Sequence, residues 1–231
     1  MDLGKAFTYV FSDDNWIMPI LVGGLILLIP FIGIFWLIGY MLACARRELN
    51  QNPDLLPGLE DFGARLSDGF KGFVITFVYA LPAVLLSVLV GLLMAATGVF
   101  SSNGGDSMSN FALVMITLFT VCFIPLMILF GVLLQVLSFG GLAIFLKTDS
   151  VGRALNFREA YGYIAGHVGS FLILWLVQIL SGFIGSLGSI FFGFGALFTT
   201  VYSQAMYGNY FGQLVARMHI PDTPATNEPS V

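Results

Sequence analysis

The sequence predicts an all-α fold, an integral membrane helical bundle with four full spans, a broken N-terminal apolar hairpin and interfacial amphipathic helices. Three observations carry this. Of 231 residues, 58% are apolar and only 10% charged, against about 25% charged in an ordinary soluble domain. The mean hydropathy is +0.92, and the surface of a domain this small needs more polar groups than that leaves. Finally, no Asp, Glu, Lys, Arg or His occurs in 15–45, 72–105, 107–146 or 168–216. A hydrocarbon core of about 30 Å takes about 20 helical residues, and backbone in lipid must satisfy its own hydrogen bonds, so these stretches are expected as helices.

The chain begins with an amphipathic piece over 2–12. Leu3, Ala6, Phe7, Val10 and Phe11 share one helical stripe, with Trp16 at interfacial depth. The N-terminus lacks the basic start and small-residue cleavage site of a secretory leader and is expected to be retained. Residues 17–45 follow, 29 in all, about 43 Å as one helix. They read either as one long tilted span or as a hairpin broken at Pro30 and Gly33, because proline removes a hydrogen bond and glycine loosens the backbone.

A second amphipathic helix is expected over 58–70, from Leu59, Phe62, Leu66 and Phe70. Either it lies on the membrane surface or it packs across the cytoplasmic end of the bundle. Four spans follow at 72–97, 110–137, 168–185 and 189–214. Gly140 and Gly141 end the second of these. The glycines and serines at 185–189 turn the chain between the last two. A less regular stripe, Leu155, Phe157, Tyr161 and Ile164, lies between. The tail 218–231, with its prolines, is expected to be a disordered cytoplasmic end.

Basic residues choose an orientation. Arg46, Arg47, Arg65 and Lys71 fall in one polar segment, Lys147, Arg153 and Arg158 in another, and Arg217 follows the last span. The loops at 98–109 and 185–189 have none. The positive-inside rule puts the basic segments and the C-terminus in the cytoplasm. A cytoplasmic N-terminus then requires 17–45 to enter and return.

Composition excludes several functions. The net charge is −4 without a basic tract, which argues against nucleic acid. Two cysteines and two histidines, all far apart, give no metal or cofactor set. No acid, base or arginine stands inside a span, where proton-coupled carriers and voltage sensors keep them. No nucleophile constellation is present, so no enzyme is expected.

Two patterns remain. Ser181, Gly185, Ser189 and Gly193 repeat small-xxx-small spacing, as do Gly208 and Gly212. Such spacing lets helices approach closely in lipid, within a chain or against a partner. Gln178, Gln204 and Asn209 are amides inside apolar stretches, able to hold a solute or bond a neighbouring helix. The expectation is therefore a non-enzymatic scaffold or accessory subunit, embedded in the bilayer and joined to itself or to another membrane protein. The alternative is a carrier or pore for a small neutral or apolar solute.

Several segments also resemble a known family: Gly4-Lys5-Ala6-Phe7-Thr8-Tyr9-Val10-Phe11 with Trp16, Leu56-Pro57 with Glu60-Asp61-Phe62-Gly63, Asp68-Gly69-Phe70-Lys71, and Lys147-Thr148-Asp149-Ser150 with Arg158. The chain is similar there to a prokaryotic multi-pass membrane family known only as a domain of unknown function. Gly58 and Phe62 stand where relatives typically carry tryptophan. The resemblance implies a cytoplasmic-membrane protein of a bacterium or archaeon and implies no activity.

Overall fold

The computed structural model describes residues 2–51, 56–58, 60–96, 110–190 and 193–218; of 93–96 and 110–120 it describes the backbone only. The segment at 98–109 and the tail at 219–231 lie outside the described residues. Every regular element among the described residues is helical. In order they are α1 (Leu3–Thr8), a 3₁₀ turn (Val10–Ser12), α2 (Ile17–Ile26), α3 (Ile32–Leu49), α4 (Phe62–Ala96), α5 (Asn110–Thr148), α6 (Val151–Ala154), α7 (Phe157–Gly166), α8 (Val168–Leu187), a second 3₁₀ turn (Gly188–Ile190) and α9 (Phe194–Ala216).

Among the described residues, three helices are long and apolar enough to cross a membrane: Phe62–Leu92, Val121–Thr148 and Val168–Ile190. Of their most apolar stretches, only 11%, 11% and 28% is buried within the protein. Leu85, Leu92, Val121, Leu126, Leu133, Leu176 and Phe183 all point outward. Water would not tolerate so continuous an apolar surface, and hydrocarbon would.

The stretch expected as a fourth span, 189–214, behaves differently. Its helix starts only at Phe194, because the chain makes a 3₁₀ turn after Leu187 and passes through Gly193 at φ +81°. It is not among the three apolar helices. Every residue from Ala205 to Val215 is buried, so α9 is the core that the others wrap. It packs between α3 and α8, α3 packs on α4, and α4 on α5. A helix surrounded by protein does not need the uniformly apolar surface that lipid demands, and α9 uses that freedom for Gln204, Asn209 and Gln213.

Two further expectations are corrected. The interfacial helix at 58–70 and the span at 72–97 form one helix, α4, of 35 residues and about 52 Å. Likewise α5 does not end at Gly140 and Gly141 but runs through them to Thr148. Both glycines permit contact instead of breaking the helix. A Cβ on Gly140 would meet Ala160 O at 3.0 Å, and one on Gly141 would meet Ala154 O at 2.7 Å. The small residues thus let α6 and α7 lie on α5. Leu142 to Leu146, which follow these glycines, are buried in the core. Tyr79 on α4 locks this corner: its hydroxyl donates to Ala154 O at 2.8 Å and its ring lies 4.5 Å from that of Phe157. Tyr79→Phe leaves a buried carbonyl unpaired and is expected to cost about 1–3 kcal/mol, read as a lower Tm in detergent.

The break at Pro30 and Gly33 is present. Helix α2 ends at Ile26, and Phe31 takes φ +65°, a left-handed value costly for a bulky residue. A Cβ on Gly33 would sit 2.7 Å from Leu27 Cα, so only glycine lets α3 start this close. The two arms return to one end of the bundle. Asp2 N donates to Gln213 Oε1 at 2.7 Å, and Lys5 pairs with Glu48 at the end of α3.

Candidate functional site

A half-open cavity lies between α3, α4, α5, α8 and α9, with a volume of about 430 Å³. That is within the usual range for a small-molecule site, about 300–1,000 Å³. Its wall is mainly Ile, Leu, Met and Phe, and no Asp, Glu, Lys, Arg or His among the described residues lines it. Three amides enter it: Gln135 from α5, Gln178 from α8 and Gln204 from α9. Gln135 Oε1 accepts from Trp175 Nε1 at 3.3 Å. Among the described residues the side chains of Gln178 and Gln204 have no hydrogen-bond partner, although both are half-buried. Thr76 and Ser138 spend their hydroxyl protons on their own helices, at Gly72 O and Gln135 O, and turn acceptor oxygens to the space. The cavity can therefore donate and accept hydrogen bonds while offering no charge.

Asn209, grouped with these amides on sequence grounds, lies elsewhere. It is fully buried, donates to Glu48 Oε2 at 2.9 Å and accepts from Gln213 Nε2 at 2.9 Å. Gln213 in turn bonds the backbone of Asp2 on both sides, and Lys5 closes on Glu48. This chain of polar groups ties α1, α3 and α9 together, and Asn209 does not line the cavity. The one-turn spacing of Asn209 and Gln213 was legible in the sequence. Glu48 was not, because its partner stands 161 residues away.

The small-residue seams are used within the chain. Ser181 Oγ donates to Ser203 O at 2.9 Å, and Gly185 O accepts from Thr199 Oγ1 at 2.6 Å, so both face α9. The turn then cuts the stripe. Gly188 continues the contact at Gly195, while Ser189 and Gly193 are exposed. Gly208 lies on Met41 O and Gly212 on Ala45 O, closing α9 on α3.

Charged groups gather at the end of the bundle where the two arms meet. Arg46 bridges Asp68 and Asp149, the latter at 2.9 Å, and lies 5.4 Å over the Phe145 ring. Lys71 joins Asp68 at 3.3 Å, Arg153 pairs with Glu159 at 2.6 Å, and Lys147 donates to Met218 O. Burial pushes the Tyr9 phenol well up, so it stays neutral against Cys44.

No curated protein and no solved structure matches the chain. A family model described as a protein of unknown function (DUF4013) matches residues 22–211, from within α2 to within α9. Those residues hold the helical core and all three amides of the cavity, and by that match the chain belongs to the DUF4013 family.

Proposed function

We propose that this chain is a multi-pass protein of the cytoplasmic membrane that binds, and passes through the bilayer, a small neutral molecule of largely apolar surface. The cavity with the amides of Gln178 and Gln204 and no charge carries this reading. A charged solute would find no counter-ion there, whereas a neutral one satisfies amides that otherwise stay unpaired. A scaffold role rested on the small-residue seams, on the amphipathic helices and on the lack of a reactive constellation; the first of these supports it less. Ser181, Gly185, Gly208 and Gly212 spend their part of those seams on the chain's own helices.

In this reading the basic end faces the cytoplasm, and α4, α5, α8 and α9 span. The hairpin of α2 and α3 dips into lipid with Leu28, Ile29, Phe31 and Ile32 at its exposed apolar tip. Single cysteines test the topology in a background with Cys44→Ala and Cys122→Ala. Thr8→Cys and Asp149→Cys are expected to label from the cytoplasmic side only, and Ser189→Cys from the opposite side only. Labelling of Thr8→Cys from outside would contradict the returning hairpin.

Proteoliposome flux over a panel of neutral solutes tests the function. At least one is expected to cross, and Gln178→Leu and Gln204→Leu each to slow it about five- to tenfold, the worth of one hydrogen bond of about 1 kcal/mol or slightly more. No flux for any solute, or flux indifferent to both substitutions, would refute the carrier.

A further inference from the structure

A second cavity, of about 590 Å³, opens at the charged end of the bundle, between the turn after α1, the end of α3 and the start of α4. Its lining is polar. Arg47 and Arg65 meet Asp13, Asp14, Glu60 and Asp61 there. Two of these groups have a structural task. Arg47 Nη1 donates to Leu56 O at 2.7 Å, and Asp13 Oδ2 accepts from Leu56 N at 3.1 Å, so the pair holds Leu56 in the cavity wall. Arg65 has no such task. It is 7% exposed, it lines the cavity, and its Nη1 has no hydrogen-bond partner among the described residues. On α3, where Gly39 rests on the Arg65 carbonyl, the Tyr40 hydroxyl and the Trp36 Nε1 are also buried and unpartnered among the described residues. A buried guanidinium with an idle N–H is costly unless something fills its fork.

The charge balance restricts what fills it. Apart from Arg47 and Asp13, one buried guanidinium faces the exposed carboxylates of Asp14, Glu60 and Asp61. A simple anion that reached Arg65 would also meet three like charges. A simple cation would satisfy the carboxylates and leave Arg65 bare. A group with both charges satisfies both ends. The position adds a further restriction. The cavity lies beside Trp16, whose ring is 5.2 Å from that of Phe11, at the headgroup level that such aromatics occupy.

We propose that this cavity binds a phosphoethanolamine group, with the phosphate in the fork of Arg65 and the primary ammonium donating to Glu60, Asp61 or Asp14. Guanidinium matches phosphate in a two-bond geometry. The carboxylates select a primary ammonium, since a trimethylated nitrogen has no N–H to give them. The group could arrive as a phospholipid headgroup or as a soluble phosphoethanolamine ester. The site is separate from the intramembrane cavity and its amides.

Native mass spectrometry of the full chain, released from nanodiscs of mixed phosphatidylethanolamine, phosphatidylcholine and phosphatidylglycerol, tests this. One tightly held phosphatidylethanolamine per chain is expected, preferred over each of the others by about tenfold or more. Arg65→Gln should abolish retention. The double variant Glu60→Gln with Asp61→Asn changes only exposed side chains, so it should fold even if Arg65→Gln does not. It should lose the preference over phosphatidylcholine. In a parallel arm, glycerophosphoethanolamine is titrated into detergent-solubilised protein. Saturable binding that Arg65→Gln or the double variant weakens supports the site with a soluble source. Retention of the lipid without such binding supports it with the bilayer as source. Equal retention of the three lipids together with no binding of the ester, a preference for phosphatidylglycerol, or a preference unchanged in the double variant would overturn the proposal.

Discussion

Gly69→Ala is expected to drive α3 and α4 apart. A Cβ at that position would land on the carbonyl of Phe35, and one at Gly39 would land on the carbonyl of Arg65. The two glycines face each other across one crossing, and each obstacle is backbone, so no side-chain rotation relieves the clash. Phe35 also lies 5.5 Å from Phe70 and 5.2 Å from Phe73, which fixes the crossing from its flanks. Overpacking a flexible core costs about 1–3 kcal/mol, and a rigid backbone contact should exceed that. At about 2–4 °C per kcal/mol for a chain of this size, Gly69→Ala and Gly39→Ala should each lower Tm by about 10 °C or prevent folding. Gly91→Ala and Gly131→Ala are the controls. Both stand in open space within helices, where alanine gains up to about 1 kcal/mol of helix propensity. Size-exclusion thermostability in detergent reads all four. An unchanged Tm for Gly69→Ala would mean that the helices do not touch where the structure places them.

Asn209→Leu should be comparably damaging for a different reason. Asn209 is the only side chain that bonds both Glu48 and Gln213 among the described residues. Leucine would leave one carboxylate oxygen of half-buried Glu48 and one N–H of buried Gln213 without a partner, at about 1–3 kcal/mol each. Glu48→Gln, which keeps an acceptor for Asn209 and removes only the charge shared with exposed Lys5, should cost much less, about 1 kcal/mol. The same thermostability assay separates them. Equal losses in the two variants would show that the Lys5 ion pair, not the amide, holds the α1, α3 and α9 junction.

These two sites also mark how far the sequence could be read. Charge-free stretches identified α4, α5 and α8, because lipid acts on every residue of a span alike. Pro30 located the break between α2 and α3, because proline acts through its own backbone. Gly140 and Gly141 were not decidable that way. A glycine pair looks the same whether it ends a helix or lets another helix settle on it, and only Ala154 and Ala160 decide the matter. For α9, absence of charge suggested a lipid-facing span. Its three amides, with Gly208 and Gly212, were the sign of a helix meant to be enclosed. Gln178 and Gln204 stood out as amides in apolar surroundings. Arg65 did not, since an arginine on the polar side of an amphipathic helix is ordinarily solvated, and here α3 packs against it at Gly39.

The bond between Asp2 and Gln213 spans 211 residues of sequence. At about 5–20 residues per second of synthesis, the first turn of the protein waits about 10 to 40 s for the group that secures it. Until then α2 and α3 have neither the floor that Gly208 and Gly212 provide nor the anchor at Gln213. The ribosome must therefore reach Gln213 before α1 docks, and a nascent chain arrested before α9 should leave α1 open to protease.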